Sequence, residues 1–144
     1  MTLFASLPTA IRTTLKAGAF ALCCVPAPVS AAKGLAQEAA LNEGLIAISM
    51  ANVIRKTCPG ISARMLKAWF YIKTLETEAQ SLGYSAQVVT AFVKNPIEKK
   101  RILSIAQERL ADHGVIPEQP ATYCTLGLAE IEAGSAIGKL LKAK

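Results

Sequence analysis

The chain has 144 residues, 52% of them hydrophobic and only 18% charged, which excludes a disordered tail and fits one compact domain of ordinary size. Its formal charge is +6, which falls to +4 once the cations of the leader segment described next are set aside. That is mildly basic, and excludes the strongly cationic signature of a nucleic-acid-binding protein.

Residues 1–31 read as a cleavable secretory signal peptide. Arg12 and Lys16 precede an apolar run from Ala17 to Val25, followed by Pro26, Pro28 and the small residues Val29-Ser30-Ala31, with cleavage expected after Ala31 or Ala32. The run is about half of the roughly 20 residues that span a bilayer, which disfavours a membrane anchor. A lipidated cysteine is disfavoured as well, because Leu22 rather than a small residue precedes Cys23. The expected product is a periplasmic single domain, residues 32–144, with no transmembrane segment.

Strand signals are scarce after the leader, whereas helix punctuation is plentiful. Residues 32–41 read as a frayed lead-in. "NEGLIAISMANVIRKT" opens at Asn42, a good N-cap, is apolar on most sides and ends at Cys58-Pro59-Gly60 because proline cannot continue a helix. Ser62 is the expected cap of the next helix, whose Met65, Leu66, Trp69, Ile72, Leu75, Ala79 and Leu82 recur at helical steps and whose stop is Gly83. Ser85 caps "AQVVTAFVK", with Val88, Val89, Phe92 and Val93 on one face.

Asn95-Pro96 starts a fourth helix, with Glu98 three residues beyond the cap, Ile97, Ile102, Ile105 or Ala106, and Leu110 as its buried side, and Gly114 as its stop. "GVIPEQP" is a loop, Pro120 starts a fifth helix, and "SAIGKLLKAK" is a last partial turn or short helix. "GSAIG" reads as a helix stop, with a tight packing contact as the other reading. The expected fold is all-α, a small bundle of about five helices.

Cys23 and Cys24 leave with the leader, so the exported chain carries two cysteines, Cys58 at the end of the first long helix and Cys124 in the first turn of the last. An even pair in an oxidising compartment is most simply a disulfide, which would close a long loop and staple early to late elements. A reactive thiol is the alternative, since Arg55 and Lys56 beside Cys58 would lower its pKa. That reading lacks a partner base: the lone histidine, His113, sits at a helix C-terminus, where an imidazolium meets the dipole favourably. Metal ligation lacks ligand spacing, and no Cys-x-x-Cys, haem, phosphate-loop, serine-elbow or zinc-protease motif is present.

Glu130 and Glu132 project about 200 degrees apart on a helix, so they cannot act as an acid/base couple, and Glu76 and Glu78 fail likewise. No catalytic, cofactor or metal residue is therefore assigned, and the chain is read as a non-enzyme. Trp69-Phe70-Tyr71 is a conceivable binding surface, although Trp69 and one neighbour are expected in the core. "EKKR", Glu98 to Arg101, near Lys94, could attract an acidic partner or lipid head groups but reads as a solvated helix face.

"IRKTCPGISARMLKA" (Ile54 to Ala68) and "YCTLGLAEIEAGSAIGKLLKAK" (Tyr123 to Lys144) together resemble a family of short, exported alphaproteobacterial proteins that carry a domain of unknown function. The resemblance implies a small helical periplasmic domain with Cys58 and Cys124 paired and without catalytic residues. It also implies at most an accessory link to respiratory NADH dehydrogenase, since nothing here resembles a flavin, iron–sulfur or quinone site. The function expected from the sequence is a noncatalytic periplasmic module that binds an envelope protein or the envelope surface, with a small periplasmic chaperone or stress protein as the alternative. Partner and oligomeric state are left open.

Overall fold

The computed structural model of the protein describes residues 34–144; the expected signal peptide lies outside the described residues. The chain enters through a single 3-10 turn, Leu35–Gln37, followed by α1, Ala39–Thr57. From Leu35 onward the lead-in is therefore structured, with Leu35 buried, and α1 begins three residues ahead of Asn42. Asn42 caps in the opposite sense to that expected: its Nδ2 donates to the carbonyls of Ala36 and Glu38 while its Oδ1 accepts from Arg101.

α1 is the axle of the fold. Its Ile46, Met50, Ala51 and Ile54 join Cys58, Ile61, Ile102, Ala106, Leu110, Val115, Leu140 and Leu141 in the larger core, as expected of a helix apolar on most sides. A smaller core sits where α1 meets the next two helices and contains Leu35, Leu41, Leu75, Ala79 and Val89.

After Cys58 the Pro59-Gly60 turn leads into a three-residue strand, β1, Ile61–Ala63. It pairs antiparallel with β2, Leu141–Ala143, at the other end of the chain, with Ile61 opposite Ala143 and Ala63 opposite Leu141. This small ribbon corrects the sequence reading twice. Ser62 lies in a strand and caps nothing, and the tail, expected as a last partial turn or short helix, forms a 3-10 turn, Gly138–Leu140, but then continues as the strand β2.

α2 is Met65–Ser81, and Arg64 precedes it without a side-chain cap. α3, Ala86–Lys94, is capped by Ser85 Oγ accepting from Val88 N, and α4, Pro96–Asp112, by Asn95 Oδ1 accepting from Ile97 N, both as read from the sequence. α4 buries Ile102, Ala106 and Leu110 but leaves Ile97 exposed, and Glu98 bonds Arg101 instead of closing a capping box. The stops at Gly83 and Gly114 fall where they were expected, both at positive φ. α5, Pro120–Ala133, ends at Gly134 in the left-handed conformation. The protein is mostly helical, five α-helices and one two-stranded ribbon among the described residues.

Candidate functional site

Three places on this frame could do something chemically distinct: the cysteine pair, a polar cleft at one end of α1, and the apolar surface of α2 with a neighbouring groove.

Cys58 is the C-cap of α1, its N–H donating to Ile54 O, and it is almost wholly buried. It is bonded to Cys124, with 5.1 Å between the two Cα atoms. Cys124 lies in the second turn of α5, one residue deeper than the sequence suggested. The bond joins the end of α1 to α5 beside Ile54 and Ile61, so it belongs to the core and leaves neither sulfur as a thiol.

The polar cleft, about 320 Å³, is lined by Glu43, Tyr71, Arg109, His113, Glu130 and Ser135 among others. Its charged groups come from residues far apart in sequence, and nothing in their spacing announced them. Arg109 on α4 grips Glu43 on α1 with both terminal nitrogens, Nη2 to Oε1 at 2.7 Å. The guanidinium's hydrogen bonds hold the Glu43 carboxyl below the ordinary carboxylate range, and the same bonds raise Arg109. Tyr71 lies partly buried against both cores, and burial, with Glu78 next, pushes its phenol up. Ser135 Oγ donates to Glu130 and accepts from Gly138 N, a closed local circuit at the end of α5. Glu130 and Glu132 are not brought together as a pair, and His113 is the exposed C-cap of α4, as its place before Gly114 implied. Among the described residues no group of His, Cys, Asp and Glu is placed to hold a metal ion.

The Glu43–Arg109 pair predicts a small, pH-dependent effect. Because the folded carboxyl is depressed from its usual 4.5, its stabilisation is fully present above that value and is lost as pH falls through the lower folded pKa. Both side chains are substantially exposed, so Glu43→Gln is expected to destabilise by about 0.5 kcal/mol at pH 7. Urea unfolding of the two proteins should converge once acid protonates Glu43 in the folded state; a difference that persists there would assign the residue a packing role instead.

α2 departs most from the sequence expectation. Its inward arc is Ala68, Tyr71, Leu75 and Ala79, so small residues bring it close to α1, where Leu75 packs against Gly44. The large side chains of its first two turns point the other way: Met65 is 71% exposed, Leu66 76%, Trp69 53% and Phe70 62%. Trp69 is thus not a core residue. It meets Phe70 edge to face, ring centroids 4.9 Å apart, while Tyr71 alone of the aromatic triplet turns inward. Arg64, Lys67 and Lys142 of β2 border Met65 and Leu66 around one shallow concavity. Nearby, Leu45, Ile48, Phe92, Val93, Ile102 and Leu103 form the apolar lining of a groove of about 390 Å³ between α1, α3 and α4.

Among the described residues no helix is long and apolar enough to cross a membrane. None of the curated proteins and none of the solved structures compared with the chain matches it. One family model does, over residues 33–142, which takes in all five described helices with Cys58 and Cys124, and the chain therefore belongs to that family, a family of unknown function (DUF5333).

Proposed function

We propose that the protein is a noncatalytic interaction module of the periplasm, exported by the leader expected at residues 1–31, in which a disulfide-braced frame presents the start of α2 to a partner surface. The observation that carries this reading is the contiguous exposed set Met65, Leu66, Trp69 and Phe70. Scattered apolar side chains on a surface are ordinary, but four large ones within two helical turns keep a patch in water that folding could have buried, and such patches mark contact sites. The paired cysteines favour an oxidising compartment. The noncatalytic part rests on the polar cleft, where the Ser135 hydroxyl and the Glu43 carboxylate are engaged in bonds that tie helix ends together.

The test is a photoreactive amino acid placed at position 70 in the cell, with position 77 as the control, since Thr77 is exposed on the same side of α2 in its polar half. The expected result is a defined adduct from position 70 that is absent from position 77; equal labelling at the two positions would remove the reading. A chaperone would use the same patch, and its adducts would spread over many client proteins. An accessory role beside respiratory NADH dehydrogenase, which the family resemblance alone suggests, would give an adduct with that complex.

A further inference from the structure

The chemistry around the exposed end of α2 narrows the partner. From Ile61 to Leu75 the sequence contains no Asp or Glu, and none occurs between Ala133 and Lys144, the stretch that supplies β2. Around Met65 and Leu66 the charged neighbours from the helix and the ribbon are cations: Arg64 immediately before the helix, Lys67 beside Leu66, and Lys142 across the ribbon. The nearest acidic side chain on the helix, Glu76, is already bonded to Lys73 at 2.6 Å. No acidic residue lies in the first turn of α2 and no side chain caps it, so the positive end of the helix adds charge of the same sign.

The shape points the same way. At 100 degrees per residue, Met65, Leu66, Trp69 and Phe70 fan over roughly 140 degrees of the helix circumference and rise only about 8 Å along its axis. Their side chains diverge outward from the helix, with the core on the opposite face. Apart from the shallow concavity beside Met65 and Leu66, a diverging surface of this kind fits a deformable medium better than a preformed protein groove. Aromatic rings settle at the headgroup level of a bilayer, aliphatic chains reach about 5–10 Å into the acyl boundary, and lysine and arginine stems extend back to the phosphates.

We propose that the first two turns of α2, with Arg64, Lys67 and Lys142 around them, seat on the interface of an anionic lipid bilayer. This rests on the interaction-module reading and names the partner of the same surface. Binding is peripheral and reversible: the apolar side chains supply depth, and the cations select negatively charged headgroups.

Trp69 is the single tryptophan of the chain, so its emission reports this patch and nothing in the leader. The experiment titrates the full chain, as processed by the producing cell, with phosphatidylcholine vesicles with or without phosphatidylglycerol, following Trp69 emission and co-sedimentation. The expected result is a blue shift and sedimentation with the phosphatidylglycerol vesicles, weakening at high salt and absent with phosphatidylcholine alone. Lys67→Ala should weaken binding about fivefold, and Phe70→Asp at least tenfold; both positions are exposed, and unchanged thermal melting certifies that the variants fold.

No shift with anionic vesicles at low salt, equal binding to neutral vesicles, or equal binding by Phe70→Asp each overturns the proposal. So does a blue-shifted tryptophan in a lipid-free dimer, which assigns the patch to a second copy of the chain. A protein adduct from position 70 in cells without vesicle binding removes the lipid and leaves the module reading standing, whereas loss of both removes both.

Discussion

Replacing Cys58 and Cys124 together by alanine is expected to lower the free energy of unfolding by about 4 kcal/mol. The bond closes a loop with a sequence separation of 66 residues, and that loop contains β1, α2, α3 and α4 entire. In the chain-entropy model, a crosslink of that span removes about 4.4 kcal/mol of conformational freedom from the unfolded ensemble. Domains of this size hold only about 5–15 kcal/mol in all, so the variant should unfold at a much lower denaturant concentration. Because the released chain expands when it unfolds, its denaturant dependence should rise as well. That second effect separates the crosslink from lost packing: Cys58 is a core residue, and deleting a buried sulfur alone would shift the midpoint without changing the slope. Urea unfolding of wild type and double variant measures both quantities. A loss under about 1 kcal/mol with an unchanged slope would mean that the apolar core holds the fold unaided.

The features legible in the sequence were those decided locally. Ser85 and Asn95 cap α3 and α4 because an N-cap needs only a side-chain oxygen and an amide two or three residues on. Gly83, Gly114 and Pro120 punctuate the chain for similarly local reasons. The cysteines were legible by counting, once Cys23 and Cys24 were set aside with the leader. Asn42 shows where local reasoning stops: its amide can donate or accept, and the choice falls to Arg101, 59 residues away, which occupies the acceptor.

The ribbon was illegible because three residues are too few to alternate and the two strands meet from opposite ends of the chain. The orientation of α2 failed for a different reason. Its sequence carries two apolar stripes, and the larger side chains looked like the core. Leu75 and Ala79 are buried as read, but in the first two turns packing chose Ala68 and Tyr71, because a small residue lets the helix lie close to α1, and so turned Met65, Leu66, Trp69 and Phe70 outward. The candidate site is thus made of residues whose pattern was visible and whose direction was not.

Gly138→Ala is expected to destabilise by about 3 kcal/mol, because backbone, and not a movable side chain, occupies the space a β-carbon would need. The chain leaves α5 at Gly134, where left-handed backbone turns it back, and Ser135 secures the turn through Glu130 and Gly138. This return lays Gly138 directly on the last turn of α5. A β-carbon there would fall 1.8 Å from the carbonyl oxygen of Glu130 and 2.7 Å from the nitrogen of Ile131. Relief requires the 3-10 turn to lift away, and with it Leu140 and Leu141, both core residues, and the β2 half of the ribbon. Gly127→Ala should lose less, about 1–2 kcal/mol, since the β-carbon would meet side-chain methyls and not backbone, Cδ1 at the tip of Ile61 and Cγ2 of Ile54, which can give within limits. At Gly60 the nearest atom is Cys58 Sγ at 3.9 Å, an ordinary contact, and alanine there should change stability by less than about 0.5 kcal/mol. Chemical denaturation of the three variants therefore tests an order as well as a size. If Gly138→Ala unfolds like Gly60→Ala, the seating of the tail on α5 is looser than these distances require. If it falls furthest, the C-terminal return is a structural lock that sets β2, and Lys142 with it, beside the exposed end of α2.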